Sequence, residues 1–234
     1  MGSQTGAPVG DAAGAPVGDA AGAPVRRGLA EKRRAIMSAA RTVFAREGFT
    51  RASVDAIAAE AGVSKRTIYN HFKDKEQLFR SMMVESSQAL SAFHRELIER
   101  HIGRLTDPEP NLIAFAREFV VPQEEFKGHF ALVRVINAEA GRLPREVLEA
   151  WQEAGPRPVR RVLADHLRQA ADRGLLRIEA GEEELAAKHL ALLTGAEVTQ
   201  RTYQGAVEIP AEELAGMVAQ GVRTFLRLYG SGKP

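Results

Sequence analysis

Apolar residues recur at helical spacing from residue 29 to the C-terminus, and nowhere do apolar and polar positions alternate long enough to require a strand. The expected fold class is therefore all-α. Breaks fall at Gly48, Gly62, the LTDPEP stretch ending at Pro110, Pro122, the Gly141 to Pro144 region, Gly155-Pro156, Gly174 and the Gly205 to Pro210 region. They delimit about nine or ten helices.

The first helix, 29–47, carries Ile36, Ala39, Ala40, Val43 and Phe44 on one stripe, and Gly48 stops it. Ser53 is placed to cap a short helix whose Val54, Ile57, Ala58 and Ala61 follow i, i+3, i+4, i+7 spacing. Gly62 can take the left-handed conformation, Val63 plugs the corner, and Ser64 caps the next helix. Two helices joined by a three-residue turn containing glycine make a helix-turn-helix. In the second of them, 65–72, Ile68 and Phe72 lie one turn apart and face inward. Arg66, Thr67 and Asn70 then point outward, flanked by Lys65, Tyr69 and His71. A narrow ridge with hydrogen-bonding tips and phosphate-binding flanks suits the major groove of DNA. Asp74 caps the following helix with Gln77 as its capping-box partner, and Lys75 sits in its first turn, within reach of a phosphate.

Charge distribution strengthens this picture more than total charge does. The chain of 234 residues has a net charge of +2, yet residues 26–80 hold 13 of its 32 Lys and Arg and only 6 of its 30 Asp and Glu. Positive charge is thus concentrated on the helix-turn-helix block. Residues 6–25 are an eight-residue Gly/Ala/Pro/Val/Asp unit given twice and then cut off, which is too poor in apolar bulk to fold. The absence of cysteine excludes disulfides, thiolate catalysis and cysteine-bound metals. With no long apolar run and no leader-like N-terminus, the expected setting is the cytoplasm, without membrane contact.

The stretch RRAIMSAARTVFAREGFTRASVDAIAAEAGVSKRTIYNHFKDKEQLF, residues 33–79, resembles the N-terminal domain of the tetracycline-repressor (TetR) family of bacterial transcription regulators. The resemblance implies that Thr67, Tyr69, His71 and Lys75 contact DNA, with Thr50 and Ser53 near a backbone phosphate and Lys65 and Arg66 at base-reading positions. Arg26, Arg27, Arg33 and Arg34 could form an arm toward the adjacent minor groove. Residues 130–151, FALVRVINAEAGRLPREVLEAW, are similar to the ligand-domain core of one subgroup of the family. The domain scheme that follows is a disordered low-complexity tail over 1–25, a TetR-type DNA-binding domain over 26–80, and a helical effector-binding and dimerisation domain over 81–234.

In that last part a long helix, 75–101, turns Leu78, Met82, Leu90, Phe93 and Leu97 inward and links the two halves mechanically. Residues 126–140 are apolar on almost every side and are expected to form a central, buried helix. Its polar residues Arg134, Asn137 and Glu139 then pair internally or line a cavity. The family expectation of a small-molecule pocket points to Phe93, Phe115, Phe119, Phe130 and Val133, with Arg134 and Asn137. Helices 182–204 and 211–229 carry Leu185, His189, Leu192, Leu193 and Leu214, Val218, Val222, Phe225 on stripes, and Gly195 and Ala196 could admit a partner. The corresponding family helices build a four-helix dimer interface, so a homodimer is expected.

An enzyme is the first competing reading, but the six histidines form no HxH or HExxH pair, and no phosphate loop, nucleophile elbow or dinucleotide fingerprint is present. No catalytic residue, metal or cofactor is expected. A regulator answering to a protein, or to no effector, is the second. The sequence points to a sequence-specific DNA-binding transcriptional regulator, a repressor released from a palindromic operator by a small, largely apolar effector.

Overall fold

A computed structural model describes residues 1–2, 22–121 and 123–232. Most of the repeat and the break expected at Pro122 lie outside the described residues. Those that are described form ten α-helices with no strand among them: α1 (Gly22–Arg51), α2 (Val54–Ala61), α3 (Lys65–His71), α4 (Lys75–Ile98), α5 (Pro108–Val120), α6 (Lys127–Glu139), α7 (Arg145–Ala154), α8 (Pro156–Asp172), α9 (Glu183–Arg201) and α10 (Ala211–Tyr229). A π-helical turn, Glu99–Gly103, extends α4, and a 3-10 turn, Glu124–Phe126, leads into α6. Helix α1 starts earlier than residue 29, so residues 22–25, assigned to the tail from sequence, are helical. Pro24 falls in its first turn, where a missing N–H costs no intrahelical bond.

The first module is built around aromatic contacts that join α1 to α4. The Phe44 and Phe79 rings meet edge to face with centroids 4.9 Å apart, and Phe49 closes the trio 5.0 Å from Phe79. Phe44 and Phe79 are wholly buried, each contributing about 1.5–3 kcal/mol over an exposed ring. Side chains from beyond residue 80 complete this cluster: Leu132, Val135 and Ile136 of α6, with Leu143 and Val147, pack into it. The boundary expected at 80/81 lies within α4, and the apolar core runs across it.

A second cluster holds the remaining helices together, with Leu97, Leu112, Phe115, Leu163, Leu190 and Phe225 at its centre. Helices α9 and α10 cross closely there. A Cβ on Gly221 would overlap the Leu193 carbonyl, so only glycine admits the crossing. Gly195, where a partner chain could approach, is half-buried with Val120 of α5 beside it, at a distance of 3.6 Å from a Cβ built there. Leu185 and Leu192 of α9 are 43% and 62% exposed, and Tyr203 just beyond α9 is 70% exposed. Their stripe therefore points outward, whereas Val218, Val222 and Phe225 of α10 face the core.

Candidate nucleic-acid interface and effector cavity

The helix-turn-helix is fixed by local capping. Ser53 Oγ accepts from the Ala56 N–H at 3.0 Å, Gly62 ends α2 at φ 64°, and Ser64 Oγ accepts from the Thr67 N–H at 3.1 Å. Asp74 caps α4 by accepting from the Gln77 N–H at 2.7 Å. Gln77 Oε1 in turn accepts from the Lys73 N–H at 2.6 Å, one residue outside the capping box expected from sequence. Ile68 and Phe72 are 1% and 3% exposed, which fixes the inward face of α3.

The nine residues expected to meet DNA divide into two groups. Arg66, Tyr69 and Asn70 stand exposed on α3 and make no side-chain hydrogen bond or ion pair among the described residues. The other six are engaged or partly covered. Lys65 Nζ donates to Asp55 at 2.9 Å, a bond that raises its pKa above the usual lysine value. The Thr67 and Ser64 hydroxyls share a bond at 2.8 Å, Ser53 is the α2 cap, and His71 is half-buried with Nε2 covered and unpartnered. Lys75 Nζ donates to the carbonyls of Phe49, Thr50 and Ala52 at 2.9, 3.3 and 3.0 Å, and lies 4.7 Å from the Phe49 ring centroid. Of the possible arm, Arg33 pairs with Glu85 and lies over the Phe72 ring, Arg27 is 3.4 Å from Glu31, and the Arg26 side chain lies outside the described residues.

Thr50 is bound from the other half of the molecule. Its N–H donates to Glu139 Oε2 at 2.9 Å and its hydroxyl donates to the same oxygen. Gly48 makes room for this: it takes φ 78° and ψ 169°, a region open essentially to glycine alone, and a Cβ there would overlap the Glu139 carboxylate. Burial opposes ionisation of Glu139, but hydrogen bonds from the Thr50 hydroxyl, the Thr50 N–H and the Phe49 N–H outweigh it and hold the pKa below the usual carboxylate value.

A cavity of about 510 Å³ lies among α4, α6, α7, α8 and α9. Phe119, Phe130 and Val133, expected from sequence, line it. Phe93 and Phe115 do not: Phe93 packs on Phe126 with centroids 5.4 Å apart, and Phe115, 2% exposed, backs Phe119 at 5.1 Å. Arg134 and Asn137 line an adjoining open trough of about 840 Å³, where Arg134 donates to the Gln204 carbonyl at 2.9 Å. Helix α6 is thus not buried all round. Leu132, Val135 and Ile136 pack on α1 while Asn137 is exposed, because its second face borders the cavity and trough.

Sequence reasoning passed over the polar part of the cavity wall. Ser87, Ser91 and His94 lie on α4 at i, i+4, i+7 spacing, a polar stripe on a face that also carries buried Leu90, and that spacing was the available signal. His94 stacks on Phe119 at 4.2 Å, and burial, then the neighbouring His129, lowers its pKa to about 4. His129 is 5% exposed and shares a 3.0 Å hydrogen bond with Ser86; burial, then the Arg41 charge, lowers its pKa to about 4. Both imidazoles are neutral at pH 7.

Comparison with known proteins places both halves. The family model described as bacterial regulatory proteins, tetR family, matches residues 36–82, and that described as AefR-like transcriptional repressor, C-terminal domain, matches residues 111–231. The transcriptional regulator UidR of Escherichia coli K12 is 28% identical over 197 residues, which cover 83% of this chain and 90% of UidR. The repressor BepR of Brucella suis is 36% identical over 81 residues, 35% of this chain and 36% of its own. A tetR-family regulator structure from Mesorhizobium loti superposes with a TM-score of 0.75 at 28% identity, covering 86% of this chain and 98% of that one. The flavonoid-responsive regulator FrrA gives a TM-score of 0.62, also at 28% identity, with the same two coverages. Among the described residues no helix is long and apolar enough to cross a membrane.

Proposed function

The chain belongs to the TetR family of bacterial transcriptional regulators, which bind DNA, commonly as dimers that respond to small molecules, and on that premise we propose that it is a homodimeric repressor released from a palindromic operator by a small, largely apolar effector. The observation that carries the reading is the exposed Arg66, Tyr69 and Asn70 ridge on a helix whose opposite face is locked by Ile68 and Phe72. Arg66 and Asn70 supply base-edge hydrogen bonding, and Tyr69 at the margin reaches a phosphate. One such helix spans too few bases for useful specificity. Two copies on half-sites about 34–36 Å apart, or a multiple, supply it. The outward Leu185, Leu192 and Leu228 suit α9 and α10 to pair with a second copy.

Release follows from the position of α6. The helix borders the cavity with Phe130 and Val133, packs on α1 with Leu132 and Ile136, and ends at the Glu139–Thr50 bond beside the helix-turn-helix. An effector that fills the cavity and displaces α6 therefore acts on the segment from Gly48 to Ser53 that sets the position of α2 and α3. FrrA, named for its response to flavonoids, lends support to an aromatic-lined cavity taking an apolar ligand. The test is selection of bound fragments from the source genome, followed by operator titration with and without candidate effectors. A sequence-specific duplex whose affinity falls with effector, by the same factor as operator weakens effector binding, is expected. Independence of the two titrations removes the release mechanism, and no preference for any duplex removes the whole reading.

A further inference from the structure

On one wall of the cavity three buried side-chain atoms have no hydrogen-bond partner among the described residues. Ser87, 1% exposed, has an unpartnered Oγ, and Trp151 Nε1 and Arg160 Nε are likewise buried and unsatisfied. The indole and guanidinium N–H groups can only donate, so only an acceptor satisfies them. All three residues line this cavity, and Ser87 sits at the corner between α7 and α8, where its Oγ would lie 3.1 Å from a Cβ built on Gly155, the residue at which α8 starts. The positive end of the α8 dipole faces the same corner. Among the described residues the charged side chains lining the cavity are Arg160 and Lys188, both cationic; Arg160 Nε pairs with Glu184, which lies outside the lining, at 3.8 Å. The side shared with the trough is apolar and aromatic, with Phe119, Phe130 and Leu192.

We propose that the effector is an amphipathic carboxylate, its carboxylate oxygens accepting from Ser87, Trp151 and Arg160 and its apolar body lying against Phe119, Phe130 and Val133. The assignment rests on the reading of this cavity as the effector site and deepens it. Two of these buried orphans can only donate and the third, the Ser87 hydroxyl, can do so, the charged side chains on the lining are cationic, and a carboxylate is the common apolar-tailed group that supplies several acceptor sites and one negative charge together. An uncharged ligand with a single carbonyl would leave most of these donors unsatisfied.

Trp151 is the sole tryptophan, so its fluorescence reports occupancy of this cavity directly. The probes are phenylbutanoate and its near-isosteric carboxamide, phenylbutanamide, titrated into the full-length protein near pH 7 and checked by calorimetry. The carboxylate is expected to bind at least about tenfold more tightly than the amide. Arg160→Gln is expected to bring the carboxylate-to-amide affinity ratio to about one and Ser87→Ala to reduce it, with far-UV circular dichroism confirming that both variants fold. Equal binding of acid and amide, or a preference that survives Arg160→Gln, overturns the carboxylate assignment and leaves the cavity as a binding site. Failure of both compounds to bind overturns the assignment together with the cavity reading.

Discussion

Replacing Lys75 by methionine keeps an unbranched stem and removes the ammonium that ties the end of α1 to the start of α4. In the native protein that ammonium donates to the carbonyls of Phe49, Thr50 and Ala52, the first and last of which are half-buried. The Thr50 carbonyl can turn to water, so its bond counts for little. Two charge-assisted bonds at the lower end of their range, with a cation–π contact to Phe49 at 4.7 Å, give a loss of about 3.5–4 kcal/mol. For a chain of this size each kcal/mol moves the melting temperature by about 2–4 °C, so Lys75→Met is expected to melt about 7–16 °C below wild type by calorimetry. A phosphate-binding Lys75, as the family resemblance implies, leads to a different outcome: an unchanged melting temperature and a salt dependence of operator affinity shallower by about one unit. That result refutes the internal-clip argument.

Glu139→Ala removes the acceptor of both Thr50 bonds, and the factor by which effector weakens operator binding is expected to fall at least about fivefold, measured by titrating operator at fixed effector concentrations. The buried histidines make stability fall in acid. His94 and His129 titrate near 6.5 when unfolded and about 4 when folded, so in that window the unfolded chain binds more protons and stability drops by about 1.4 kcal/mol per pH unit for each histidine. The melting temperature is expected to decline steadily from pH 6.5 toward 4, and the decline to flatten in the His94→Gln/His129→Gln double variant; a melting temperature that rises on acidification contradicts the burial argument. Arg66→Ala is expected to relax preference at one or two base positions, each by about 1–3 kcal/mol, whereas Tyr69→Ala weakens all duplexes alike; a selection experiment that returns the same consensus for Arg66→Ala removes its base-reading role.

The helix-turn-helix was legible because its determinants are local. Ser53, Gly62, Ser64 and Asp74 act on backbone groups within a few residues, and the Ile68 to Phe72 spacing sets the inward face of α3 without outside help. What sequence could not supply is long-range. Gly48 reads as a helix stop, but the carboxylate that needs its bare backbone belongs to Glu139, on a helix far along the chain, and no local pattern announces that pairing. Lys75 reads as a phosphate ligand because its position in a first turn is visible and the carbonyl cluster from α1 is not. For the cavity, the aromatic positions Phe119 and Phe130 came from the family resemblance, while Trp151, Gly155 and Arg160 join Ser87 on one lining only through the fold of α7 and α8 against α4.

The apolar cluster that runs from α1 into α6 and α7 constrains how this protein can be cut and recombined. A fragment ending near residue 80 would present to water the surface that Leu132, Ile136 and Val147 cover, and would be prone to self-association. A hybrid that grafts this reading head onto a foreign sensor must therefore carry α6 and α7 along, or redesign the patch they seal; the natural seam for such surgery is not the stretch between the two family-matched segments but the far side of the sixth and seventh helices.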